Sequence, residues 1–148
     1  NQTKTKAYGI CIYKSNSKKI EILLCKSVSS LNKWGCVKGL LEKKESNKYC
    51  AQREFFEESS INVDIKYFEE YFEQINKEKD IGIWLVNAKN IKNIDNYFFE
   101  NRLIENYLSW ENSKIKYFDI KKLPQIKKKQ ITLISNITDF LKNKNQHR

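Results

Sequence analysis

Apolar residues in this chain gather into short runs with two distinct periods, separated by stretches rich in lysine, asparagine and serine. Residues 7–13 (AYGICIY) and 20–26 (IEILLCK) are dense enough in β-branched and aromatic side chains to predict two strands, joined by a Ser15-Asn16-Ser17 turn. A polar loop over 27–33 leads to a short strand around 34–38. Ser46 has the chemistry of an N-cap for a helix running to about Ser59. Strands are expected at about 62–74 and 80–87, with a turn at Asn76-Lys77 between them. Residues 91–107 carry no clear period and suggest a loop with a short helix. Residues 114–119 (KIKYFD) predict a further strand, and Leu123-Pro124 breaks the chain before a closing helix over 128–142. That helix carries Ile131, Ile134, Ile137, Phe140 and Leu141 on one side. Strands interleaved with a mid-chain and a terminal helix predict an α+β fold, an α/β/α sandwich.

Composition narrows the class. The chain has 148 residues, 40% of them hydrophobic and 13% aromatic, which suits one globular domain over residues 1–148. There is no internal repeat, and no linker divides it. No apolar run approaches the roughly 20 residues of a membrane helix, and residues 1–6 are polar with no signal-peptide core. The expectation is a cytoplasmic protein with no membrane partner. Cys11, Cys25, Cys36 and Cys50 lack the paired spacing of a zinc site and are read as small core residues. The single histidine, His147, stands in the tail and leaves no basis for histidine-centred metal or triad chemistry.

The formal charge of +10 points towards polyanions. The chain is also heavy in Lys, Asn and Ile throughout, and its lysines are spread out apart from Lys18-Lys19 and Lys127-Lys128-Lys129. Compositional bias therefore accounts for the charge as well as a binding role does.

Glu54, Glu57 and Glu58 change the picture. On one helix they span only about 100° of the circumference. Three carboxylates so close repel one another unless a cation lies among them, and oxygen-only donors suit magnesium or manganese. Taken alone, such a run is most often a solvated acidic face. Its register with the residues upstream argues otherwise. The chain runs Gly39, five residues, Glu45, seven residues, Arg53-Glu54, Phe55, one residue, Glu57-Glu58, two residues, Ile61. Gly39 lets its backbone approach a metal or phosphate closely, and Glu45 sits near the helix start, where the dipole favours an anion.

This spacing resembles the signature of the Nudix family and matches it at every charged position. The opening strands, the Lys33-Trp34-Gly35 lead-in, and Trp110-Glu111 with the KIKYFDIKKLP stretch also resemble that family, so the likeness covers nearly the whole chain. Two positions depart from it. Ser60 stands where the family has a helix-capping glycine, a change that costs on the order of 1 kcal/mol if the left-handed cap is kept. Val37 stands where many relatives carry proline.

The resemblance implies the Nudix α/β/α sandwich, with a mixed sheet, a catalytic loop-helix-loop and a C-terminal helix. It also implies hydrolysis of phosphoric anhydride bonds in a nucleoside diphosphate linked to another group. Glu54, Glu57, Glu58 and the Gly39 carbonyl would hold Mg2+ or Mn2+. Arg53 would orient a helix carboxylate, and Glu45 would support the site from behind. Glu57 is the first candidate for the general base, Glu111 the second and Glu105 a weaker third. Lys38 is placed to contact a phosphate. Tyr8, Phe72, Trp84 and Tyr117 are possible stacking faces for a base, although aromatics in strands are more often core. The Trp34-x-x-x-Lys38-Gly39 lead-in favours a dinucleoside polyphosphate or an RNA 5′ end as substrate. The alternatives are a nucleoside triphosphate pyrophosphatase and a non-catalytic module binding nucleotide or RNA. A monomer or a homodimer is expected.

Overall fold

The computed structural model describes residues 4–146, so His147 lies outside the described residues. Its long strands are β1 (Thr5–Ser15), β2 (Ile20–Ser27), β5 (Lys79–Asn87) and β8 (Asn112–Asp119). Shorter ones are β3 (Val37–Leu40), β4 (Tyr71–Gln74), β6 (Phe98–Phe99) and β7 (Arg102–Leu103). The helices are α1 (Asn47–Ser59) and α2 (Ile131–Gln146). The sheet runs β4-β5-β1-β2-β8-β7-β6. It is mixed: β1 pairs in parallel with β5 and antiparallel with β2 and β3, which share its other edge. The α/β/α sandwich expected from the sequence is therefore the architecture observed.

Both sheet faces are covered, which is why the central strands are nearly continuous in apolar residues. Tyr8, Ile10 and Ile12 of β1 join Trp84 and Val86 of β5 in one core with Cys50, Ala51 and Phe55 of α1. The alternate residues Cys11 and Tyr13, with Ile81, Ile83 and Leu85, face Leu133, Ile134, Ile137 and Leu141 of α2. Each such Ile or Leu contributes about 1.5–3 kcal/mol through burial. All four cysteines are free and buried, as expected. Among the described residues, no helix is long and apolar enough to cross a membrane.

Three expectations need correction. The strand expected over 62–74 survives only as β4, because Asp64 caps a 3-10 turn at Ile65–Tyr67 by accepting from the Lys66 N–H at 3.0 Å. The 91–107 stretch contains 3-10 turns and also the tiny β6–β7 pair, which lengthens the sheet with strands too short to show a period. Ile131 is exposed, and Leu133 takes the core position instead.

The turn ahead of α2 is clamped to the sheet. The Trp34 N–H donates to the Gln125 carbonyl and the Lys127 N–H to the Trp34 carbonyl, both at 2.9 Å. The Cys36 N–H donates to Gln130 Oε1 at 2.8 Å. Gly35 permits this, since a Cβ there would lie 2.6 Å from the Gln130 amide.

Both ends of α1 are fixed. Ser46 Oγ accepts from the Tyr49 N–H at 3.1 Å, as a serine N-cap should. Ser60 keeps the left-handed cap, with φ 67°, and its N–H donates to the Phe56 carbonyl at 2.8 Å. Its hydroxyl also donates to the Tyr107 carbonyl at 2.9 Å, a bond glycine does not make. The strain of a left-handed serine is about 1 kcal/mol, and a hydrogen bond returns about as much. We therefore expect Ser60→Gly to unfold within ~0.5 kcal/mol of wild type and Ser60→Ala to lose about 1 kcal/mol, measured by urea denaturation. Equal losses in the two variants would contradict this balance.

Candidate active site

The site lies where β3 passes the flank of α1. Register places Gly39 opposite Tyr8 of β1, and the Gly39 Cα faces the Glu54 carboxylate so closely that a Cβ would sit 1.9 Å from Glu54 Cδ. The Gly39 carbonyl accepts from Cys50 Sγ at 3.6 Å, which ties the strand to the helix a second time.

Arg53 binds the surrounding groups together. Its Nε donates to Glu45 Oε2 and its Nη2 to Glu45 Oε1 at 2.9 Å, a bidentate fork. Nη1 reaches Glu54 Oε2 and Glu57 Oε1, each at 3.0 Å. Nη2 also donates to the Leu40 carbonyl at 3.1 Å. The guanidinium holds Glu45 below the usual carboxylate range and is itself held further towards the charged form by its partners.

The three helix glutamates differ in environment. The Glu57 side chain is 55% exposed and Glu54 only 16%. Burial pushes Glu54 up, with Arg53 opposing. Glu58 is buried, and its Oε1 accepts from Asn112 Nδ2 at 2.8 Å. Burial pushes its pKa up to about 7 against the pull of that amide, while Glu54 and Glu111 add to the rise and Lys38 opposes it.

Most of the residues singled out from the sequence are therefore neighbours. Gly39, Glu45, Arg53, Glu54 and Glu57 share direct contacts. Glu58 joins through the same helix, and Glu111 lies in the exposed loop before β8, close enough to act on both Glu54 and Glu58. Lys38 is half-buried and within electrostatic reach of Glu58. Glu105 lines a depression with Phe99 and Arg102 and makes no recorded contact with the helix carboxylates. Among the aromatics, Tyr8, Trp84 and Tyr117 are core residues and Phe72 packs edge-on against Phe140.

Two further participants were not assigned to the site from the sequence. Asn112 is one asparagine among many, in no motif. Lys127, half-buried, faces Glu58 closely enough to feel its charge. Among the described residues, no three acidic, cysteine or histidine side chains close on one point as a ready-made cage.

The sequence model of the NUDIX domain matches residues 3–136. The chain belongs to the Nudix family. Nudix hydrolases act on phosphoric anhydride bonds and generally use divalent metals. Solved structures of the same fold include a C. elegans Ap4A hydrolase in a binary complex, 24% identical over 79% of this chain and 81% of its own, with a TM-score of 0.55. The NUDIX domain of Shewanella oneidensis NrtR, complexed with ADP ribose, is 12% identical over 95% and 90%, with a TM-score of 0.65. A UDP-X diphosphatase is 16% identical over 100% and 66%, with a TM-score of 0.64. At these identities the likeness is one of fold. No curated protein matches the sequence significantly.

The Arg53 fork makes a stability prediction independent of activity. Lysine cannot make bidentate contact with Glu45 while also reaching Glu54, Glu57 and Leu40. The Glu45 side chain is only 6% exposed and would be left poorly paired. Arg53→Lys should lose about 2–3 kcal/mol in urea unfolding. A loss below ~1 kcal/mol would mean that the fork does not hold the loop to the helix.

Proposed function

We propose that this chain is a Mg2+- or Mn2+-dependent pyrophosphohydrolase that cleaves a nucleoside diphosphate linked to a further group, with dinucleoside polyphosphates or RNA 5′ ends as the substrates. The observation that carries this reading is the Gly39–Glu54 approach. A bare Cα faces a half-desolvated carboxylate, beside a second that is buried and a third that is open to solvent.

The donor set fits a hard divalent ion. Carboxylate oxygens of Glu54, Glu57 and Glu58, with the Gly39 carbonyl, are the oxygen ligands such an ion prefers. The carboxyls raised by burial and mutual repulsion mark a place where positive charge is favoured. An open half-shell, rather than a closed cage, suits magnesium, which keeps waters and takes substrate oxygens as further ligands. Bound there, the ion supplies positive charge against the phosphate oxygens and makes water more acidic.

The remaining steps fall to the chain's own groups. Glu57, the most exposed of the three glutamates, takes the proton from the attacking water. The water oxygen forms the new bond to phosphorus as the bridging P–O bond breaks, and the second phosphate leaves with the electron pair. Glu111 is the alternative base, from the loop before β8. Arg53 keeps Glu54 and Glu57 in register, with Glu45 bracing it from the buried side, and Lys38 contacts a phosphate oxygen. General-base transfer of this kind contributes about 10²–10⁴-fold.

The test is release of nucleoside monophosphate or phosphate from a panel holding diadenosine tetraphosphate, ADP-ribose, triphosphorylated RNA and nucleoside triphosphates. Turnover should require Mg2+ or Mn2+ and stop with EDTA. Glu57→Gln should lower kcat by about 10²-fold or more. In Gly39→Ala the new Cβ pushes the Glu54 carboxylate away from Arg53, so activity should fall at least about tenfold, with some loss of stability in urea unfolding. Nucleotide binding without turnover of any panel member would favour a sensor module and sink the enzyme reading.

A further inference from the structure

Lysines from four separate segments of the chain converge on one cleft. Lys33, Lys38, Lys79, Lys127, Lys128 and Lys129 line one cleft of about 310 Å³, with Ile81 and Gln130 as the rest of its lining. They come from the loop before β3, from β3, from the start of β5 and from the turn ahead of α2. No carboxylate lines the cleft. Among the described residues, the only ion pair these lysines make joins Lys129 to Glu78, at 4.0 Å between two exposed side chains.

The lysines repel one another. Lys79 is held below the usual lysine range, chiefly by Lys38, with burial and the charges of Lys129 and Lys127 adding to it. Lys127 is held down by burial and Lys38, while Glu58 acts in the opposite direction. Lys38, next to Gly39 on β3, and Lys127 are the two lining residues within electrostatic reach of Glu58, and they connect the cleft to the α1 glutamates.

A cluster of like charges is costly, and here the framework keeps it in place. Gln130 packs on Gly35 and accepts from the Cys36 N–H, and the Lys127 N–H donates to the Trp34 carbonyl. Asn76 Nδ2 donates to the Lys129 carbonyl at 3.2 Å, and the Leu133 N–H to Gln74 Oε1 at 2.9 Å. The lysine turn is thus braced from the segment leading into β3 on one side and from β4 and its following loop on the other.

We infer that this cleft is a binding site for an oligophosphate chain, and that it holds the phosphates beyond the one cleaved at the glutamates. The inference rests on the proposed pyrophosphohydrolase reading for its link to catalysis, but not for binding itself. Two features favour a bare phosphate run over nucleotides. The lining has no aromatic ring on which a base could stack. Six ammonium groups around so small a volume also match consecutive phosphates better than a backbone carrying one charge per nucleotide. The substrate class is then a nucleotide with a phosphate chain longer than two, in preference to a diphosphate sugar.

The experiment has two arms. In EDTA, inorganic tripolyphosphate binding to the full chain is measured by calorimetry at rising salt. Wild type should bind, more weakly as salt increases, because bound cations and counterions are exchanged. The double variant Lys128→Gln/Lys129→Gln, at two exposed positions, should bind at least about fivefold more weakly. The control Lys121→Gln/Lys122→Gln removes the same charge from an exposed turn outside the cleft and should bind as wild type does. No binding by wild type, or equal weakening in both variants, would overturn the inference. In the second arm, with Mg2+, the ratio of kcat/KM for diadenosine tetraphosphate to that for ADP-ribose should fall about fivefold in the cleft variant alone. An unchanged ratio overturns the substrate assignment. If no nucleotide is hydrolysed at all, the pyrophosphohydrolase reading fails, and the tripolyphosphate arm still decides the cleft.

Discussion

Arg53 meets three carboxylates and a backbone carbonyl from a single planar group, and the geometry of the site follows from that. Glu54 and Glu57, held on one face of α1, repel each other, and Glu54 is partly desolvated as well. Without a cation between them the helix would favour rotamers that spread them into solvent. The guanidinium offsets that repulsion and also closes the 40–46 loop against the helix, through Glu45 and the Leu40 carbonyl. A lysine in its place would supply the charge without the fork. The same contact that stabilises the loop therefore aligns the carboxylates.

That alignment needs a rigid surface on which β3 and α1 meet. The sheet supplies it by being buried on both faces, so neither helix can shift without opening a core. β1 is central to this, because one edge is occupied by β5 and the other is shared between β2 and β3. Small residues then decide how close the layers come. Gly39 admits the Glu54 carboxylate, and Gly35 admits the Gln130 amide. The first approach shapes the site with the glutamates. The second fixes the turn that carries Lys127, Lys128 and Lys129.

What the sequence made legible was local. Helix α1 could be placed from Ser46 and from the spacing of its glutamates, because capping and rotation per residue act within a few positions. The charged residues of the motif could be aligned for the same reason, each at a fixed offset from the next. Features that depend on distant partners could not. Ser60 looked like a defect, and its compensation is a carbonyl 47 residues away. Asn112 sits 54 residues from the Glu58 it bonds. The strand expected over 62–74 failed at Asp64, where a side chain caps a 3-10 turn and competes with strand pairing. Ile131 fitted the helical stripe but is the first residue of α2, where its side chain is exposed.

The lysines illustrate the same limit in a form that bears on function. A charge of +10 in a lysine-rich chain has a compositional explanation, and nothing in the spacing of Lys33, Lys38, Lys79 and Lys127 contradicts it. Composition sets how many lysines there are; it does not draw six of them from four segments to one cleft. Random placement on the surface would let each find a carboxylate or spread into solvent, since exposed like charges gain nothing by crowding. Here the crowding persists because backbone and amide hydrogen bonds hold the turn in place. Repulsion of this kind, maintained by the surrounding fold near the glutamates of α1, is what a site built for a highly charged ligand requires: repulsion in the free protein is relieved when the opposite charge arrives.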